Sequence, residues 1–239
     1  MPTLKWISDK GIEGAVYALL EIASGAKKNA TKSFNKNVID PFSAMFEIAG
    51  FEFDHNTWLA SETARQAQKT LNTHIGSFHQ TILGQCKGWE NLGVGNVIDL
   101  VCEDKKIIAE IKNKHNTVTK GQLAGLYYSL NDLVSRKTSI YKGYTAYYVT
   151  IIPKTGKRFD KEFTPSDKER GEKCEASSSI REIDGASFYS IVTGDENALE
   201  NLFDALPGLI EKCSAGKYKI KDKDKLKAFF NLAFQEKKK

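Results

Sequence analysis

Two short β-branched runs, residues 96–102 and 107–112, flank a polar tetrad at 103–106, and no other stretch constrains the chain as strongly. Runs of this kind bounded by turn residues pair as an antiparallel hairpin. Side chains alternate along a strand, so Ile107, Ala109 and Ile111 share one face of the second strand and Glu110 and Lys112 share the other. The first strand carries a single charge, Asp99, among Val97, Ile98, Leu100 and Val101. Charges inside apolar strands are costly unless they pair or bind a metal, so the hairpin predicts a cluster of two carboxylates and one ammonium. Paired carboxylates with a few waters suit magnesium, a hard octahedral cation that takes its remaining ligands from substrate phosphate oxygens. Lys112 would then lie beside a metal-bound water and a phosphate, where an ammonium stabilises developing negative charge.

The Asp-x10-Glu-x-Lys spacing of Asp99, Glu110 and Lys112 resembles the PD-(D/E)XK nuclease superfamily, with Ile98 where the superfamily pattern has proline. Three further stretches, NVIDPFSAMF (37–46), HIGSFHQTILG (74–84) and GWENLGVG (88–95), look like the small restriction-enzyme family typified by enzymes that cut GGNCC. The similarity runs from about residue 37 through 120 and more loosely onward. It implies a restriction-endonuclease-like α/β core with a mixed central sheet, and a magnesium-dependent type II restriction endonuclease that leaves 5′-phosphate ends. Asp99, Glu110, Lys112 and His79 are the implied catalytic residues, and Asp99, Glu110 and Ile111 the metal positions. His79 follows Phe78, where family members often carry a carboxylate. It falls at the margin of an apolar helix stripe, whereas Gln80 falls nearly opposite that stripe.

A chain of 239 residues with 41% hydrophobic residues can bury a sizeable core, which argues against disorder. A net charge of +5 suits a polyanionic partner without demanding one. Cys86, Cys102, Cys174 and Cys213 are widely spaced and lack CxxC pairing, so reduced thiols in a cytoplasmic protein are expected. The first residues do not read as a charged-then-apolar leader, and no apolar run approaches the roughly 20 residues of a membrane helix, so a soluble protein is expected.

Along the chain, residues 6–28 read as a helix or a helix pair broken at Ser24 and Gly25, and residues 37–53 as a further helix. Asp40 before Pro41 reads as a helix cap rather than a metal ligand. Ala64, Ala67, Leu71, Ile75, Phe78 and Ile82 repeat at helical spacing, which makes 61–83 one amphipathic helix ended by Gly84. Residues 88–95 form a glycine-containing loop, without the Lys-Ser/Thr of a nucleotide-binding loop. Thr119 caps a crossover helix carrying Leu123, Leu126, Tyr127 and Leu130. Residues 144–153 and 187–193 read as strands, 196–213 and 223–234 as helices, and 237–239 as a frayed tail.

Donors outside the hairpin divide into two groups. Lys114, Asn116 and Lys120 adjoin the second strand without an acidic neighbour and suit phosphate contacts. Arg158, Lys168, Arg170 and Arg181 lie in the long polar stretch 154–186, mixed with acidic residues. This reads as a DNA-reading loop in which Arg170 or Arg181 touches guanine. The whole is a single domain: a helical N-terminal elaboration (1–60), a catalytic core (61–153), the reading loop (154–186), and a last strand with C-terminal helices (187–239). A two-fold symmetric site in double-stranded DNA calls for a homodimer. A cognate DNA methyltransferase is expected in the same system, though not as a stable complex. Two rivals differ in what they predict. A structure-specific repair or junction nuclease on the same core would not give discrete fragments from a plasmid, and a non-catalytic nucleic-acid-binding module would bind without cutting.

Overall fold

The computed structural model describes residues 2–93 and 95–234, and the lysine tail at 237–239 lies outside them. The chain opens with three helices, α1 (Asp9–Lys32), α2 (Pro41–Gly50) and α3 (His55–Leu83). Strands β1 (Glu90–Asn91), β2 (Leu100–Cys102) and β3 (Ile107–Lys114) follow, then helix α4 (Lys120–Ser135) and β4 (Thr145–Ile152). Four short strands come next: β5 (Asp160–Glu162), β6 (Ser166–Asp167), β7 (Glu172–Lys173) and β8 (Ile180–Asp184). Helices α5 (Gly185–Thr193), α6 (Ala198–Cys213) and α7 (Lys223–Phe234) complete the fold.

Six strands form one sheet in the order β1-β2-β3-β4-β8-β5, while β6 and β7 pair separately. β3, β4 and β8 run parallel, and the outer pairings are antiparallel, so the sheet is mixed. Parallel neighbours need a crossover, and α4 supplies it between β3 and β4. The two faces of the sheet are covered by different helices. Leu100, Ala109, Ile111, Val149 and Ile151 share a core with residues of α1, α3, α5 and α6. Ile108, Ala146, Tyr148 and Ile180 pack with Ala124, Tyr127, Leu130 and Val134 of α4. The mixed α/β sheet flanked by helices, with helices added at the N-terminus, is the architecture expected from the sequence.

Capping chemistry sets several of the boundaries. The Asp40 carboxylate accepts from the N–H groups of Phe42 (2.9 Å) and Ser43 (3.2 Å), with Pro41 as the first residue of α2. At α4, Gln122 Oε1 accepts from both the N–H (3.2 Å) and the hydroxyl (2.9 Å) of Thr119. Each such cap contributes about 1 kcal/mol. Helix α1 runs unbroken through Ser24 and Gly25.

The structure corrects the sequence reading in three further places. Residues 187–193 belong to a helix, α5, and not to a strand. Asp184 caps it by accepting from the Ser187 N–H at 3.0 Å, and Phe188, Tyr189 and Val192 are buried at helical spacing. Gly185 lets α5 press against β4, since a Cβ there would lie 2.4 Å from the Ile151 carbonyl oxygen. The stretch 154–186 is not one long loop: it holds β5 to β8, and β8 is an inner strand of the sheet. Phe163, Cys174, Ile180 and Ile183 anchor it, each no more than 5% exposed. The first strand of the hairpin is shorter than 96–102, spanning only Leu100–Cys102, and the preceding loop contains the short strand β1.

Candidate active site

Asp99 immediately precedes β2, held by main-chain bonds on both sides. Its N–H donates to the Ala109 carbonyl (2.8 Å), and its carbonyl accepts from the Leu92 N–H (2.9 Å). Its side chain then continues the ladder, because Asp99 Oδ2 accepts from the Ile111 N–H at 2.6 Å. The Asp99 carboxylate is therefore fixed against β3 beside Glu110, and the two carboxyl groups are hydrogen-bonding neighbours.

Glu110 is buried, and Glu110 Oε1 forms an ion pair with the Lys112 ammonium two residues along the strand. Burial and then the adjacent Asp99 charge push the Glu110 carboxyl well above the usual carboxylate range, although Lys112 pulls the other way. Burial disfavours the Lys112 ammonium, but Glu110 and Asp99 outweigh it and raise its pKa. Two carboxylates thus face one cation in a partly dry site. A divalent ion would supply the missing positive charge, and the all-oxygen donor set suits magnesium. Asp99 and Glu110 could hold it. The Ile111 side chain is a buried hydrocarbon with no donor atom, so only its main-chain carbonyl could serve as a ligand. Among the described residues no group of three or more His, Cys, Asp or Glu side chains is placed to hold a metal, so water and phosphate oxygens would have to complete the shell.

Sequence reasoning passed over two neighbours of this cluster. Tyr148 and Thr150 stand opposite Glu110 and Lys112 in the register of β3 and β4. The Tyr148 phenol is 4% exposed, so its pKa is raised by burial; it bonds to Thr150 and feels Glu182, Lys112 and Glu110. The available signal was the two-residue alternation within 144–153, once that run is set beside β3.

His79 is not brought into the cluster. Its Nδ1 lies 2.8 Å from the Tyr189 hydroxyl, and its ring meets Phe78 and Tyr189 edge-on. Burial alone pushes its pKa down to about 4, which keeps the ring neutral in the layer between α3 and α5. Gln80, on the other side of the helix, lines a cleft of about 620 Å³ together with Lys112, Asn113, Lys114 and Asn116. Lys120 is exposed at the start of α4.

The arginines of 154–186 have partners inside the chain. Arg181 pairs with Asp160 at 2.6 Å, and Arg158 donates to the Glu196 carbonyl. Arg170 lies 3.7 Å from Asp167 and 4.8 Å above the Tyr128 ring. Lys168 is exposed beside them, in the turn between β6 and β7.

An aspartate and a Glu-x-Lys converging on adjacent strands of a mixed sheet define the class of restriction-endonuclease-like folds. Within that class, residues 4–214 match the model of the Eco47II restriction endonuclease family, and the chain belongs to that family. It is 47% identical over 239 residues to the type II restriction enzyme Eco47II of Escherichia coli, covering 98% of this chain and 100% of that relative. The type II restriction enzyme Sau96I of Staphylococcus aureus is 34% identical over 177 residues, 73% of this chain and 66% of that relative. The chain is accordingly a type II restriction endonuclease, a site-specific deoxyribonuclease of a restriction-modification system whose substrate is DNA. Among the described residues no helix is long and apolar enough to cross a membrane.

Proposed function

We propose that the chain hydrolyses both strands of double-stranded DNA at a short GGNCC-like site, with magnesium held by Asp99, Glu110 and the Ile111 carbonyl. The observation that carries this reading is the meeting of Asp99, Glu110 and Lys112 at the end of one hairpin. Bound there, magnesium would supply Lewis acidity toward a phosphate oxygen and lower the pKa of a bound water. Asp99 is held rigidly by the Ile111 N–H and fixes one side of the site. The Lys112 ammonium offsets negative charge as water adds to phosphorus and the 3′-oxygen leaves, giving a 5′-phosphate and a 3′-hydroxyl. Lys114, Asn116 and Lys120 contact the phosphate backbone beside the scissile bond.

A homodimer accords with this chemistry, because each chain supplies one Asp99–Glu110–Lys112 cluster and a duplex has two strands to cut. Helix α2 supports that assembly. Phe42, Met45 and Phe46 form a stripe at helical spacing that is 71%, 66% and 79% exposed, an apolar face suited to a second copy. The same reading places the enzyme in the cytoplasm, beside a cognate methyltransferase that protects host DNA without forming a stable complex.

Incubation with unmethylated plasmid tests the proposal. Magnesium is expected to give discrete fragments that ligate without added kinase, and EDTA to prevent cutting. A smear, or fragments formed equally well in EDTA, would overturn it.

A further inference from the structure

Resting on that nuclease reading, we propose that one edge of α3, carrying Gln68, Lys69, Asn72 and Gln80, is the surface that reads the DNA duplex. The three amides meet base edges, and Lys69 meets the backbone. Residues 65, 68, 69, 72, 76 and 80 fall on one side of the helix by the 3.6-residue repeat, while Phe78 and Ile82 point into the core. From 65 to 80 this edge is roughly 22 Å long at about 1.5 Å per residue. That length passes about six base-pair steps of about 3.4 Å.

The edge forms one wall of the 620 Å³ cleft, and the segment from Ile111 to Thr117 forms the other. Lys112 lies in that second wall and joins the cleft to the catalytic cluster through its ion pair with Glu110. None of the lining residues is acidic. The polar side chains a polyanion meets on approaching Lys112 are therefore amides, hydroxyls, ammonium groups and the Arg65 guanidinium.

The amides of α3 fall into two sets. Gln66, facing the protein, is buried and bonds to Glu62 at 3.0 Å and to Asn37 at 2.7 Å. Among the described residues, the side chains of Gln68, Asn72 and Gln80 make no hydrogen bond within the chain. Across the cleft, Asn113 Oδ1 is the one buried side-chain oxygen among the described residues that lacks a partner. A buried polar atom left unpaired is unfavourable, and a ligand or its bound water would relieve that. Gly76 sits in the middle of this wall. Glycine inside a helix is less stable than alanine, yet a Cβ at Gly76 would meet nothing within 4 Å. Its bare backbone adds clearance where a duplex would pass closest.

The chemistry fits base edges. A side-chain amide carries donors and an acceptor, so it can donate to guanine N7 or O6, or pair twice with adenine. Arg65, on the same edge, is held by Glu62 at 2.5 and 2.6 Å, which leaves base recognition to the amides.

The test finds the preferred site by selecting calcium-bound duplexes from a randomised pool, which needs no cutting, then measures binding in calcium to duplexes carrying that site or each single substitution in it. Gly76→Glu puts a carboxylate into the cleft, and Gly25→Glu makes the same change at an open position of α1 away from it. Gly76→Glu is expected to weaken binding at least 100-fold with its melting temperature unchanged, while Gly25→Glu binds as wild type. Gln68→Ala or Asn72→Ala is expected to lose about tenfold discrimination at one base pair. A folded Gly76→Glu that binds normally would overturn the proposal. So would alanine variants that weaken every duplex equally, or a wild type that binds without sequence preference. The expected losses in these variants, found in a protein that does not cut in magnesium, would support this surface and overturn only the nuclease reading.

Discussion

The cleft beside α3 and the segment from 154 to 184 are both rich in hydrogen-bond donors, and they use them in opposite ways. In the segment, Arg158, Arg170 and Arg181 have partners within the fold. Arg181 on β8 pairs with Asp160 on β5, and Lys161 with Glu182 at 2.6 Å, so these pairs clip the edge of the sheet. In the cleft, Lys69 and Lys114 make no ion pair among the described residues, and the neighbouring amides are equally free. A count of arginines points to the first region, whereas a census of partners points to the second. What marks a nucleic-acid surface here is donors whose partners are missing, and charge density alone does not reveal that.

The largest effect is expected at Lys112, which lines the cleft and pairs with Glu110. Lys112→Ala should lower the single-turnover cutting rate roughly 100- to 1,000-fold or more. Binding in calcium should change only a few-fold, because the ammonium acts on charge that develops during reaction. Cutting within tenfold of wild type would remove Lys112 from the chemistry and leave it as a partner of Glu110. The cleft would then be a binding groove without a catalytic end.

The two sides of α3 repeat the comparison on one helix and predict a pH effect. His79 has a pKa of about 4 in the fold against an ordinary 6.5, so the unfolded chain binds a proton that the folded chain refuses between those values. Its contribution to stability is complete above pH 6.5 and is lost as pH falls toward 4. By pH 5 the loss is about 2 kcal/mol. Urea unfolding at pH 7.5 and pH 5 measures it. His79→Asn, which keeps an acceptor near Tyr189 but cannot titrate, should show a smaller difference between the two pH values. An unchanged difference would mean that His79 is as hydrated as it would be on the Gln80 side.

Local chemistry explains which parts were legible in the sequence. The hairpin was readable because alternation alone puts Glu110 and Lys112 on one face, and Asp40 and Thr119 declare their helices through caps contained in a few residues. Helix α5 was misread because its β-branched and aromatic residues suggest a strand, although Asp184 and Gly194 frame it with cap signals. Residues 154–186 were read as a loop because Phe163 and Cys174 each contribute one isolated buried side chain, too few to show a pattern. The cleft was invisible for another reason. Its walls come from α3 and from the end of β3, about thirty residues apart, and its main groups are uncharged amides that composition does not single out. His79 was preferred over Gln80 because the wheel shows the margin of an apolar stripe but not which neighbour that margin meets.

A smaller effect should separate the arginines from the amides. Arg181→Ala should destabilise the fold by at most about 1 kcal/mol, since it removes an ion pair to the exposed Asp160 that links β8 to the edge strand β5. Discrimination among single-substitution duplexes should stay as in wild type. Thermal melting and calcium-supported binding together decide the point. A normal melting temperature combined with lost preference at one base pair would return base reading to this segment.

The smallest effect concerns the cleft's outer lip. Lys114 is exposed at the end of β3 and lines the same cleft as Gln80, with no ion pair among the described residues. A lysine in such a position neutralises one phosphate and releases one condensed counterion on binding. Replacing it with alanine should therefore weaken cognate and non-cognate duplexes alike, and by less as salt rises. Plotted as log affinity against log salt concentration, the slope should become shallower by about one. Asn72→Ala should leave that slope unchanged while shifting preference at a base pair, because an amide displaces no counterion. The two variants thus divide the cleft into a lip that senses phosphate and a wall that senses sequence. An Asn72→Ala slope reduced like that of Lys114→Ala would place both residues on the backbone and erase the division.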